Sequence, residues 1–326
     1  MQKVLLTATI AISLTVSTIV IIWSLDGLTV CVPSFESNIR FVYYKDYCIL
    51  PYITRNIYED NLEIHERITL TFHLSYDYFD ARITEQVEAW DGPITLAVMV
   101  RTDNVFENIR NVEAQFVRSK YVLMADYEFV FSNGFERRMR ELARTELAKR
   151  PKTALVFRIF EVDQNVQNLP TNKSELHSLM KSGKAIEFHA RFTSNAHKIP
   201  GLSDWFQRPE GTGSATISAE LPLNRHDWEP QFVSLNTAPL HDENFPFSVR
   251  DNTVLRWEMC RMGYTFAVVN DLFMVHRGIK TAKDVQRVRG QQMNARSKFS
   301  AALKKFNKRM DDEYPETKKK CPKFKA

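Results

Sequence analysis

Between positions 68 and 162 the sequence alternates short apolar runs with stretches of helical spacing, and this alternation narrows the fold more than any other feature. ITLTFHL (68–74) is β-rich and runs into Ser75 and Asp77, both residue types that cap helices. Phe79, Ile83, Val87 and Trp90 then recur at helical spacing until Gly92-Pro93 ends the pattern. ITLAVMV (94–100) is continuously apolar, as in a strand covered on both faces. The pattern predicts a helix over about 106–118, the strand YVLMA (121–125), a helix over about 134–149 and the strand TALVFRIFEV (153–162). Strand–helix–strand alternation implies parallel pairing and an α/β fold, in which ligands bind beyond the carboxyl ends of the strands near a switch point.

Downstream the pattern loosens. A short helix is expected over 173–181, and a Gly-, Ser-, Thr- and Pro-containing loop over 200–222. A second patterned unit begins near Trp228, with a helix over 252–262 closed by Gly263, then TFAVV and LFMVH as two short strands. The tail over 281–311 reads as a charged helix. No internal repeat is present.

Residues 4–25, VLLTATIAISLTVSTIVIIWSL, carry no charge. At about 1.5 Å per residue a helix of this length crosses a hydrocarbon layer of roughly 30 Å. Signal-peptide cores run only about 7–15 residues, so the length favours a retained anchor over a cleaved signal. Lys3 on the N-terminal side favours a three-residue cytoplasmic stub and a luminal remainder. Residues 26–66 then read as a stem. Four cysteines (Cys31, Cys48, Cys260 and Cys321) permit two disulfides in any of three pairings, and no CxxC spacing points to a zinc site. Asn172-Lys173-Ser174 is an N-glycosylation sequon.

The net charge of +5 is unevenly placed, because the segment from Arg277 to Ala326 alone carries +11. Such a tail can meet nucleic acid, anionic lipid or an acidic glycan, or it can be a solvated helix with a frayed end. A luminal tail leaves no nucleic acid to meet.

Three places could carry chemistry. Asp126 and Glu128 follow the strand YVLMA; in extended chain, residues i and i+2 share a side, and two carboxylates there suit Mg²⁺ or Mn²⁺. VHRGIK (275–280) supplies His276 as a further metal ligand, Gly278 for close backbone approach to a diphosphate, and Lys280 with Arg277 as cations. Asp242 and Glu243, in PLHDENF, are loop carboxylates that could take a proton from an attacking hydroxyl. No nucleophile elbow, zincin or P-loop motif is present.

Taken in order, these segments resemble the β-1,4-glucuronyltransferase family (glycosyltransferase family 49), which includes the second catalytic domain of the LARGE xylosyl/glucuronyltransferases. The resemblance runs from ITLTFHLSYDYFDARITEQVEAWDGPITLAVMV through NIRNVEAQFVRSKYVLMADYEFVFSNGF, ALVFRIFEV, LPTNKSELHSLMKSG, WEPQFV, HDENF and GYTFAVVNDLFMVHRGIK to YPETKKKC. It implies a GT-A-type domain over 67–322 behind an N-terminal transmembrane helix, in a type II Golgi membrane protein. It implies UDP-glucuronic acid as donor, Mn²⁺ as cofactor, inversion at the transferred sugar, and a xylose-type acceptor on a glycoprotein glycan. Carried over residue by residue, Asp126, Glu128 and His276 would hold the metal. Gly278 and Lys280 would face the diphosphate, Arg110 and Asn111 would lie near the nucleotide, and Asp242 would be the base. The chain departs from the family in two places: Asp-x-Glu stands for Asp-x-Asp, and a helix–strand unit expected around 100–108 is missing. A catalytically inactive, membrane-anchored relative that binds glycans or partner transferases is the second reading.

Overall fold

The computed structural model describes residues 10–14, 18–25, 28–33, 42–44, 47–53, 62–75, 81–99, 111, 114–193, 195–223, 225–246 and 249–325. In chain order the strands and helices are β1 (Ile10–Leu14), β2 (Thr18–Leu25), β3 (Leu28–Pro33), β4 (Val42–Tyr44), β5 (Tyr47–Ile53), β6 (Ile68–Ser75), α1 (Ala81–Glu88), β7 (Ile94–Met99), β8 (Tyr121–Met124) and β9 (Phe129–Phe131). Then come α2 (Phe135–Lys149), β10 (Thr153–Val162), α3 (Lys173–Lys181), β11 (Ala185–Glu187), α4 (Leu202–Gln207), β12 (Ile217–Leu221), β13 (Gln231–Leu235), α5 (Asp251–Arg261), β14 (Thr265–Arg277), α6 (Ala282–Asn294) and α7 (Arg296–Glu313).

One mixed sheet runs β12-β14-β10-β13-β8-β6-β7-β5-β4, with β11 added to β10 and β9 to β14. β7, β6 and β8 are parallel, as are β10 and β14. The chain passes from β6 through α1 to β7 on one side and returns to β8 on the other. The order therefore reverses at β6, and the switch point lies beyond the carboxyl ends of β6 and β8, where Asp126 follows. Gly92 makes the α1–β7 turn possible: a Cβ there would stand 2.6 Å from the Ile68 carbonyl oxygen.

β10 is buried at all ten positions because the sheet is covered on both faces. Leu155, Phe157 and Ile159 pack into the core beneath α1 and α2, with Trp90, Phe135 and Met139. Ala154 and Val156 face the opposite core, with Trp257, Phe299, Phe306 and Met310 of α5 and α7. Among the buried polar residues of β10, Arg158 donates to the carbonyls of Ile199 and Pro200 at 2.6 Å each, and burial pulls its pKa down to about 10. Cys260 of α5 is bonded to Cys321 across a Cα separation of 6.1 Å.

The structure corrects several expectations. TFAVV and LFMVH form one 13-residue strand, β14, bent at Asp271, whose φ is +71°. Its buried carboxylate is neutralised by Arg138 (3.1 Å) and Lys173 (3.3 Å), so the chain turns a corner without leaving the sheet. The expected 200–222 loop contains α4 and β12. Within the expected stem, β5 pairs antiparallel with β7 and β4 antiparallel with β5, extending the sheet. Where a transmembrane helix was expected, β1, β2 and β3 form an antiparallel meander. The run is dense in Thr, Ile and Val, whose branched Cβ favours extended chain. No helix among the described residues is long and apolar enough to cross a membrane. Most of the 106–118 helix and the shortened 100–108 stretch lie outside the described residues.

Candidate active site

The acidic pair is split between two parts of the sheet. Ala125 N–H donates to the Thr71 carbonyl at 3.0 Å, carrying the β8 ladder one residue further. Gln86 of α1 then donates to the Asp126 carbonyl at 2.8 Å. Tyr127 and Glu128 form a turn, and β9 joins β14 antiparallel with Phe129 opposite His276. The extended i, i+2 geometry expected of Asp126 and Glu128 is absent, because the chain must reverse here to change partner strands. Among the described residues no three His, Cys, Asp or Glu side chains converge as a metal cage.

The structure does bring Glu128 and His276 together. His276 Nε2 lies 2.8 Å from Glu128 Oε2, and Nδ1 lies 2.9 Å from the Gly278 carbonyl oxygen. A carbonyl only accepts, so Nδ1 carries the hydrogen. In the neutral ring Nε2 then presents a lone pair to a carboxylate oxygen, an arrangement that requires a proton or a metal cation between them. One imidazole nitrogen and one carboxylate oxygen are two of the ligands a divalent cation would need, and among the described residues no third His, Cys, Asp or Glu joins them. Gly278 adopts φ +99°, which favours glycine, and its N–H donates to Val162 O at 2.7 Å.

Glu161 escaped the sequence reading. It stands opposite His276 in the β10–β14 pairing and is buried. Its carboxylate accepts from the backbone N–H of His189 (3.2 Å) and of Lys280 (3.3 Å), tying two loops to the strand end. Burial raises its pKa, partly offset by those hydrogen bonds. A lone glutamate inside the apolar run ALVFRIFEV was the available signal. Lys280 extends its ammonium over the Phe188 ring at 5.2 Å and forms no ion pair among the described residues. Arg277, by contrast, is paired to Glu85 at 3.0 Å. His189 stacks on Phe188 (3.9 Å) and lies 4.8 Å from His197. Burial first, then neighbouring cations, lowers His189 to about 2; burial also lowers His197.

Asn111 and Asp242 do different work from that expected. The Asn111 amide donates to the His241 carbonyl (2.6 Å) and accepts from its N–H (2.8 Å), holding that residue as a neighbouring strand would. Asp242 Oδ1 accepts from the N–H and side-chain amide of Asn244, and Oδ2 pairs with Arg309 of α7 at 3.0 Å. Both oxygens are engaged and the side chain is nearly buried, so Asp242 shapes the loop. Glu243 is exposed, with a 3.3 Å bond from Asn111. Arg110 lies outside the described residues. Asn172 is the N-cap of α3, its side chain accepting from Glu175 N–H at 3.0 Å.

Comparison with known proteins identifies the family. β-1,4-Glucuronyltransferase 1 of Mus musculus is 28% identical over 219 residues, 67% of this chain and 50% of that protein. The Homo sapiens counterpart is 27% identical over 204 residues, covering 62% and 47%. Mus musculus xylosyl- and glucuronyltransferase LARGE2 is 26% identical over 182 residues, covering 56% and 25%. The chain thus spans about half the length of the β-1,4-glucuronyltransferases it matches. A crystal structure of GalNAc-T7 with UDP, GalNAc and Mn2+ overlays loosely (TM-score 0.42, 11% identity, 78% of this chain and 58% of that one). Residues 102–315 match the model of the family described as "Glycosyl-transferase for dystroglycan", and the chain belongs to that family.

Proposed function

We propose that the chain transfers glucuronic acid from UDP-glucuronic acid to a xylose-type acceptor on a glycan, with Mn²⁺ and with inversion. The observation that carries this reading is the Glu128–His276 contact at the β9–β14 end of the sheet, in a chain of this glycosyltransferase family. Glu128 and His276 would hold the metal, with Asp126 one turn away. Bound there, Mn²⁺ supplies the charge that lets a diphosphate depart. The other roles belong to the chain. The Gly278 carbonyl fixes the His276 tautomer, and Glu161 anchors the backbone that presents Lys280. Lys280 is the cation positioned to offset phosphate charge. A base must take the acceptor proton on the face opposite the leaving group; of the two loop carboxylates, exposed Glu243 is better disposed than Asp242 held by Arg309.

Residence in the Golgi lumen belongs to the same proposal. The Cys260–Cys321 bond supports an oxidising compartment. The test is UDP release by the purified protein with UDP-glucuronic acid, Mn²⁺ and a xyloside, compared with a Glu243→Gln variant. Release that requires the xyloside and falls in the variant supports transfer. Tight glycan binding without any release supports an inactive glycan-binding relative, the reading favoured by the engaged state of Asp242.

A further inference from the structure

The basic C-terminal segment is not a frayed tail. α7 buries Phe299, Ala302, Phe306 and Met310 along one side. Beyond it, Arg261 ties the chain down by donating to the carbonyls of Met310 (2.5 Å), Tyr314 (2.8 Å) and Cys321 (3.0 Å). Cys321 is bonded to Cys260, and Phe324 is plugged between Trp257 and Phe306. Asn307 exchanges two hydrogen bonds with the Phe324 backbone, at 2.8 and 3.1 Å.

This anchoring fixes what the lysines do. Between the buried anchors, Lys318, Lys319, Lys320 and Lys323 are exposed, and on α7 Lys304, Lys305 and Lys308 occupy the side away from the core. Lys318 and Lys308 share charge with Asp311 and Asp312. Lys304, Lys305, Lys319 and Lys320 make no ion pair among the described residues. A mobile tail would lose conformational freedom on meeting an anion, whereas this platform is already ordered, so more of its Coulomb attraction appears as affinity.

We propose that this face binds an acidic polysaccharide, a glycan chain carrying carboxylate or sulfate groups along its length. The disulfide argues for this partner over the other polyanions. A chain that forms it is on the oxidising side of the membrane, away from nucleic acid and from the anionic cytoplasmic leaflet. Binding at this face does not depend on the transfer reaction and is measurable without a sugar nucleotide.

The experiment uses the full disulfide-bonded chain and a fluorescein-labelled heparin dodecasaccharide, read by anisotropy across a salt series, with uncharged dextran as the control. Wild type binds the heparin fragment and not dextran, and affinity falls steeply with salt. The Lys319→Glu/Lys320→Glu variant, which leaves the Lys318–Asp311 ion pair intact, binds at least tenfold more weakly with a shallower salt dependence. The Lys304→Glu/Lys305→Glu variant weakens binding on the second element. All melt as wild type does, because the altered side chains are exposed. Unchanged heparin affinity in both variants, or tighter binding to anionic vesicles or single-stranded DNA than to the heparin fragment, overturns the proposal.

Discussion

Arg261 and His276 illustrate two ways of treating polar groups in one fold. Behind α5, Arg261 is tied to three carbonyls and Asp311, beside a disulfide and an aromatic plug. At the other region, His276 faces a carboxylate at 2.8 Å, Glu161 is buried at the strand end, and two neighbouring imidazoles keep ring nitrogens without a hydrogen-bond partner. Unsatisfied buried groups cost stability wherever they lie, and the Arg261 Nε and the Arg256 Nε and Nη1 also lack partners. The difference lies in covalent and aromatic anchoring: the C-terminal region has the Cys260–Cys321 bond and the Phe324 plug, whereas the β9–β14 end has a histidine–glutamate contact next to two unpartnered ring nitrogens.

If that division is real, substitutions at the two regions separate activity from stability. Glu128→Ala is expected to lower transfer by more than roughly a hundredfold, with a melting temperature near that of wild type. A variant that melts early and retains its turnover per folded molecule would reverse the comparison. Cys321→Ser does the opposite. Opening the loop of 61-residue separation is expected to cost about 4 kcal/mol by the chain-entropy estimate, read by denaturant unfolding, while UDP-sugar affinity of the folded fraction holds.

The site region also responds to pH. His189 and His197 have pKa values below the usual histidine range in the folded chain. Below about pH 6.5 the unfolded chain takes up protons that the folded chain refuses. Stability therefore falls as pH drops from 6.5 toward 5, by up to about 1.4 kcal/mol per pH unit for each histidine. A melting temperature flat across that range would remove these rings from the account. The smallest effect is expected at Asn172→Asp, which keeps an acceptor at the α3 N-cap. Stability changes by less than roughly 0.5 kcal/mol, and loss of a glycosidase-sensitive gel shift reports whether the sequon is used.

The sequence made the parallel half legible for a physical reason. Strands covered on both faces must be continuously apolar, so ITLAVMV, YVLMA and TALVFRIFEV announced β7, β8 and β10. The bend in β14 was hidden, because Asn270-Asp271 reads as a turn unless Arg138 and Lys173 are known to neutralise Asp271. Of the site, His276 and Glu128 were nominated from local motifs and meet across 148 positions. The split of Asp126 from Glu128 was not visible, since nothing local states that β9 pairs with β14 while β8 pairs with β6. Asn111 and Asp242 show the same limit. Asn111 was carried over from the family resemblance and Asp242 was read as a loop carboxylate, yet their partners, His241 and Arg309, lie 130 and 67 positions away.

The most direct measurement is Mn²⁺ binding to the purified chain in the presence of UDP, followed by electron paramagnetic resonance of the free ion. The account predicts saturable binding that His276→Ala and Glu128→Ala each weaken at least tenfold while both variants remain folded. Binding of equal strength in wild type and both variants would contradict it.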